Sequence, residues 1–429
     1  MNILFLCHRI PYPLDKGEKI RAFNLLSHLA KDHTVHLGAF VDDPADVRHV
    51  PTVRDMVGGR CLIVPLRRPV ALARMASALI GGAPLTTSHF WSARLNRWVT
   101  EKLRTASIDR VVVFSTAMAP YMMEARSFPG AHVLFDMVDV DSDKWRQYAE
   151  ASAGPKAWLY RREARLLLRL ERQAAAAFGA TVLVSQFEAD TFAGLAPEAR
   201  DRVHAVPNGV DLDDFSPHGE YQNPFSAREI PIVMTGRMDY RPNIDGARWF
   251  AQQVMPAIRA VLPAARFHIV GARPPAALRS LDATSVSGAV KDVRPYIAHA
   301  AAVVAPLRLA RGVQNKVLEA MAMQKPVVAT SPATRALAVR RGLELWIEDE
   351  PEQFAQAVIA AATGTERLDV AARARRHVEA HCSWAGQLAR LDELLANPVS
   401  PRAKSAEARA RPVPPDYAPG EADSASEFT

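Results

Sequence analysis

A chain of 429 residues with 49% hydrophobic content has room for two domains of ordinary size, each with a buried core. Its three cysteines, Cys7, Cys61 and Cys382, are too few and too scattered for a disulfide framework or a zinc site, which fits a reducing compartment. The net charge of +7 favours anionic partners, but no zinc-finger spacing or aromatic RNA-binding block points to nucleic acid, and no apolar run is long enough to cross a membrane.

Residues 2–7 are apolar and read as a first, central strand. His8 and Arg9 interrupt the run and no basic segment precedes it, so it is not a signal peptide. A helix is expected over 18–30, with Ile20, Phe23, Leu26 and Leu29 as its stripe. Gly17, just before it, permits a close backbone approach where the helix N-terminus attracts negative charge. Further strands are expected at 33–41, 61–66, 109–115, 132–136 and 181–185, alternating with helices as in a doubly wound sheet. Between them, Leu72, Met75, Leu79 and Ile80 are read as core packing, with a bend toward a lipid-linked acceptor as the alternative. Asp136 ends the strand at 132–136 and Asp139, Asp141 and Asp143 follow it, at the end where a parallel sheet places chemistry. Asp141 or Ser142 is expected to cap the next helix, and Asp139 to contact an acceptor. Over 156–178 a long helical pattern puts Arg161, Arg165, Arg169 and Arg172 on one face. That face is solvated, or attracted to an anionic inner leaflet.

The strand at 203–207 ends in the turn signal Asn208-Gly209, where a hinge between domains is expected. Strands then follow at 230–235, 266–270, 286–290, 302–307 and 326–330, with helices over 245–261, 293–301 and within 355–395. After the strand at 302–307, a loop delivers Gln314, Asn315 and Lys316 into the first turn of a helix with apolar positions Val313, Val317, Leu318 and Met321. Unpaired backbone N–H groups and one lysine at such a point suit a phosphate, and Glu319, one turn on, would reach a sugar hydroxyl. The plainer alternative is an ordinary crossover with a solvated Lys and Glu. From 397 onward proline, alanine, serine and charge replace the apolar pattern, and a disordered tail is expected.

The series Val206-Pro207-Asn208-Gly209-Val210-Asp211, Thr235-Gly236-Arg237, the strand ending in Gly271, and Gly288-Ala289-Val290 precedes that helix in order. It resembles the donor half of the GT-B glycosyltransferases of family 4, the glycosyl transferases group 1. Asp139-Val140-Asp141-Ser142-Asp143-Lys144-Trp145, the segment from Met238 to Asn243, and that from Asn315 to Ala322 are similar to sugar transferases associated with exopolysaccharide and PEP-CTERM gene clusters.

The resemblance implies an α/β GT-B fold: two Rossmann-like doubly wound domains, with parallel sheets facing across a cleft. The expected domains are 1–207 on the acceptor side and 208–375 on the nucleotide-sugar donor side. A C-terminal helix at 376–396 crosses back to the first domain, with Trp384 as an anchor, and the tail occupies 397–429. The implied activity is metal-independent and cofactor-free transfer with retention, from a UDP-sugar to a saccharide or polyprenyl-diphosphate-linked acceptor, in the cytoplasm or peripherally on the inner membrane. Asp139, Arg237 and Lys316 are the candidate catalytic residues. The candidate donor-binding residues are Gly17, Asn208, Gly209, Arg237, Asn243, Gly271, Val290, Gln314, Asn315, Lys316 and Glu319.

Three departures from the family pattern stand out. Arg311 replaces the first of two glutamates eight positions apart, of which Glu319 is the second. The lysine usual shortly after Gly236-Arg237 is missing, and Asp139 sits nearest the place of the acceptor-side histidine. His8 reads as a packing residue. A nucleotide-sugar epimerase of the same fold and an inactive scaffold of a polysaccharide assembly complex are the alternatives.

Overall fold

The computed structural model of the protein describes residues 1–125, 128–310 and 312–397; Arg311 and the expected tail from 398 lie outside the described residues. Two sheets organise the chain. The first holds β1 (Asn2–Cys7), β2 (Thr34–Val41), β3 (Cys61–Pro65), β4 (Arg110–Phe114), β5 (Val133–Val138), β6 (Ala180–Leu183) and β7 (Val203–Ala205), in the order β3-β2-β1-β4-β5-β6-β7. The second holds β8 (Ile230–Thr235), β9 (Ala265–Val270), β10 (Thr284–Gly288), β11 (Ala302–Ala305), β12 (Val327–Ala329) and β13 (Trp346–Ile347), in the order β10-β9-β8-β11-β12-β13. The pairs β1–β2, β1–β4, β8–β9 and β8–β11 are all parallel, so each sheet reverses its winding beside its first strand.

Central strands covered on both faces read as unbroken apolar runs. In β1, Ile3, Phe5 and Cys7 enter one core while Leu4 and Leu6 enter the other. Among the helices, α1 (Gly17–Asp32) buries Ala22, Leu25, Leu26 and Leu29, and also Lys19 and Arg21. Ile20 and Phe23, expected on its inner stripe, sit at the edge.

The connection after β3 forms α2 (Arg68–Gly81) and α3 (Leu85–His89). The core-packing expectation for α2 fails. Leu72 is 64% exposed, Leu79 42% and Ile80 92%; the helix buries Ala71 and Ala78 instead. After β5 come α4 (Asp141–Glu150), α5 (Gly154–Ala177) and, following β6, α6 (Gln186–Leu195). On α5, Arg161, Arg165 and Arg169 are exposed, while the neighbouring Arg162 and Glu163 are buried. The Arg162 guanidinium donates to Ala78 O, Leu79 O and Ala83 O at the end of α2 (2.8, 3.3 and 3.2 Å). The Glu163 carboxylate accepts from Leu85 N and Thr86 N at the start of α3, each at 2.8 Å. These two charges add partners at the end of one helix and the start of the next.

In the second half, α7 (Arg241–Trp249) follows β8 and α8 (Asn315–Ala322) follows β11. Then α9 (Arg367–His381) packs on the second core through Ala374 and Val378, so the expected boundary at 375–376 falls inside this helix. The chain crosses at Cys382–Ser383, beside the first crossing: Val210 N donates to Cys382 O at 2.8 Å. The last helix, α10 (Trp384–Ala396), packs on the first domain through Leu388, Leu391, Leu395 and Trp384, with His28 2.8 Å from Asp392.

Candidate functional site

The second sheet reverses its winding between β8 and β11, and in open parallel sheets ligands bind beyond the strand ends at such a switch point. The loops leaving these two strands carry Gly236-Arg237 and the segment up to Gln314. Gly236 and Gly271 end adjacent strands with φ of +140° and +157°, and a Cβ on Gly271 would lie 1.8 Å from Gly236 O. Only glycine permits this approach. The missing side chain at Gly236 leaves space that Lys316 fills, its Nζ 3.0 Å from where a Cβ would stand.

Lys316, in the first turn of α8, donates to Asn243 Oδ1 at 2.6 Å, and Asn243 Nδ2 donates to Arg237 O at 2.8 Å. Residues 73 positions apart therefore converge on the end of β8. No side chain caps α8 at Gln314. Burial drives the Lys316 ammonium down to about 8, with Glu319 opposing. Burial likewise lifts the half-buried Glu319 carboxyl to about 7, with Lys316 opposing. A buried ammonium whose charge burial disfavours is one that a bound anion would stabilise.

The carboxyl ends of both sheets meet across a cleft. Arg237 donates to Asp15 Oδ2 (2.7 Å) in the loop after β1 and grips Asp239 at 2.7 and 3.1 Å. Arg273 Nη2 lies 2.9 Å from Asp43 Oδ2 after β2. Asp139, after β5, faces the loop after β11: its Oδ1 is 2.7 Å from the place of a Cβ on Gly312. Val138, just before it, has φ +69°, a strained conformation for a β-branched residue at a site of this kind.

Behind the cleft, Arg21 is fully buried on α1. It pairs with the equally buried Asp136 (Nη2–Oδ2 2.8 Å) and donates to Val206 O (2.8 Å) and Asn208 Oδ1 (3.0 Å). Asn208 Nδ2 in turn lies 3.4 Å from Asn315 Oδ1. Neither Arg21 nor Asp136 was expected here, because a buried ion pair between residues 115 apart leaves no local signal.

Neither Asp141 nor Ser142 caps α4. Its first turn is held by Glu188 Oε2, accepting from Val140 N (2.9 Å), and by Glu171 Oε1, accepting from Ser142 N (3.1 Å). Burial lifts Glu188 to about 7, aided by the charge of Asp139, and lifts Glu171 to about 8.

Other expected residues lie further off. Gly209 backs onto the start of α10, since a Cβ there would come within 2.4 Å of Trp384 N. Gly17 is exposed at the start of α1 with open space beside it, and Val290 packs on the second core just after β10. His8 stacks on Phe114 and meets Phe90 edge-on, with Nε2 3.5 Å from Glu18. Among the described residues no group of three or more His, Cys, Asp or Glu is arranged to hold a metal ion.

The architecture has close counterparts among solved structures. HepE of Anabaena, solved in complex with UDP and glucose, matches with a TM-score of 0.64 at 15% identity, covering 92% of this chain and 99% of that one. The fold is GT-B. WaaG, a glycosyltransferase involved in lipopolysaccharide biosynthesis, is similar with a TM-score of 0.63 at 16% identity, over 92% of this chain and 100% of that one. The sucrose-phosphate synthase of Thermosynechococcus elongatus follows at 0.61 and 18%, over 92% and 98%. Residues 229–364 match the family model for glycosyl transferases group 1, a span that runs from β8 past β13 and includes the whole Lys316–Asn243–Gly236 cluster. No curated protein matches the chain.

Proposed function

We propose that the chain is a retaining, metal-independent glycosyltransferase. It would move a sugar from a UDP-sugar to a saccharide or polyprenyl-diphosphate-linked acceptor in exopolysaccharide synthesis, in the cytoplasm at the inner membrane. The observation that carries this reading is the convergence of Lys316, Asn243 and Gly236 at the switch point of the second sheet, with Asp139 opposite. The family match over that domain and the UDP and glucose bound to HepE support it.

In this reading Lys316 takes the place of the family lysine missing after Arg237 and meets the diphosphate at the start of α8. Arg237 exchanges a carboxylate partner for phosphate. Both stabilise the negative charge that builds on the leaving group. Glu319 accepts from the ribose hydroxyls, and Asn208, Asn315 and Gln314 shape the donor side. The acceptor hydroxyl attacks the sugar's anomeric carbon as its bond to the diphosphate breaks. The acceptor proton passes to the departing phosphate on the same face, and Asp139 orients the acceptor.

A thermal-shift panel of UDP-, GDP- and ADP-sugars tests the donor. A ligand at 100 times its dissociation constant stabilises by about 2.7 kcal/mol, and UDP-sugars should give the largest shift. Anomeric configuration of the product by NMR tests retention. If no nucleotide moves the midpoint, the reading fails.

A further inference from the structure

Two helices of the first domain present outward faces that burial in the chain does not explain. On α2, Pro69, Leu72, Ala73, Ala76 and Ile80 fall on one side, opposite the buried Ala71 and Ala78, and all five are exposed. On α5, Trp158, itself 56% exposed, falls on the same stripe as Arg161, Arg165 and Arg169. The two helices are joined where Arg162 donates to Ala78 O and Leu79 O, so the last turn of α2, which carries Ile80, lies against the turn of α5 that carries Arg161 and Arg162.

The exposed charges of the two helices themselves have one sign. The α2 sequence has no acidic residue, and it begins with the exposed Arg67 and Arg68. Glu163 and Glu171, the acidic residues of α5, are 1% and 0% exposed, each turned inward to hold another helix end. What remains outside on α5 is Lys156, Arg161, Arg165 and Arg169 around Trp158. Arg74 is turned inward to Trp91 O and His89 O. An apolar helix face, a tryptophan and a row of cations, with no exposed carboxylate on either helix and only Arg172, further along α5, paired with an acid (Glu198), match an anionic bilayer surface: apolar groups to enter it, indole and guanidinium for its headgroups. Among the described residues no helix is long and apolar enough to cross a membrane, so the contact is a surface one.

We infer that α2 and α5 together dock the protein on an anionic phospholipid surface, with Leu72 and Ile80 inserted and Trp158 at the headgroup boundary. This takes up the inner-membrane placement in the proposed function and rests on that part of it alone; the assay uses no sugar donor, so its failure and that of the transfer reading are separable.

The test is co-sedimentation of the full chain with phosphatidylcholine vesicles with and without phosphatidylglycerol. Wild type should bind only the phosphatidylglycerol vesicles, and brominated lipid should quench its fluorescence, with the quenching lost in Trp158→Phe. Each cation near the surface strengthens partition by about fivefold, so Arg161→Gln with Arg165→Gln should weaken binding by about 25-fold. Leu72→Asp with Ile80→Asp should abolish binding and keep the wild-type melting midpoint, since both side chains are exposed. Wild type that ignores anionic vesicles overturns the inference, as do variants that bind like wild type. So does a lipid-free dimer, seen by sedimentation velocity, that Ile80→Asp dissolves, because the face would then be a contact between copies.

Discussion

Replacing Lys316 by alanine removes the one ammonium that the structure buries at the end of β8, and its consequence depends on pH. The side chain is 9% exposed and held 2.6 Å from Asn243, with burial setting its pKa at about 8. A hydrogen bond to a charged group is worth about 1.5–3 kcal/mol, so Lys316→Ala should weaken UDP binding more than about tenfold at pH 7. At that pH the free site is about 90% charged, and at pH 9 about 10%. Wild type must therefore take up close to one proton per UDP at pH 9, and its affinity should fall by about tenfold between the two pH values. The alanine variant has no such proton to gain. UDP's own ionisation is common to both proteins and cancels in the ratio, so the gap between them should shrink by about tenfold from pH 7 to pH 9. Titration calorimetry in two buffers of different ionisation enthalpy reads both the affinity and the proton count. Parallel affinities across that range, with no buffer-dependent heat in the wild type, would refute the lysine–phosphate contact.

Other expectations follow from the packing. Glu171 holds a proton in the fold up to about pH 8, whereas the unfolded carboxyl loses it near 4.5; stability should fall as pH rises between those values. Glu171→Gln, always neutral, should be flatter, so denaturant curves at pH 5 and pH 8 should show the variant gaining on wild type at the higher pH; parallel curves would show that the carboxyl is ionised. Gly209→Ala places a methyl 2.4 Å from Trp384 N, and overpacking of this kind costs about 1–3 kcal/mol. Its melting midpoint should drop, because the clash is with backbone at the start of α10 that cannot simply rotate aside. Glu163→Ala leaves Leu85 N and Thr86 N without their acceptor, at a cost of about 1–3 kcal/mol by chemical denaturation, whereas Glu163→Gln should recover part of it.

The strands were legible because β1 and β8 lie in the middle of parallel sheets, where both faces are covered and nearly every position is apolar. The two-residue edge strand β13 offers no such run and was not anticipated. The apolar residues of the connection that holds α2 suggested packing but not which side faces the protein; only the burial of Ala71 and Ala78 decides that, and Leu72 and Ile80 were misassigned. The parts played by Arg162 and Glu163 were not anticipated, since nothing local announces that a charge will serve the ends of two other helices. In the site, the turn before α8 was readable from its glycine, amide side chains and lysine. The meeting of Lys316 with Asn243 was not, because it depends on β8 and β11 being neighbours. Asp136 was read as one of an acidic series, although its place is set by Arg21.

The paired crossings have a mechanical meaning of their own. Val210 on the way out and Cys382 on the way back are joined by a 2.8 Å hydrogen bond, so the two lobes are connected by a double strand. A single strand lets two bodies swing, twist and slide; two strands pinned side by side resist twist and shear, leaving a swing about one axis. Opening and closing then return the same faces to each other each time, much as a book closes on facing pages. Cutting the chain at one crossing should leave the lobes attached, held by the other strand and by α10 on the first domain.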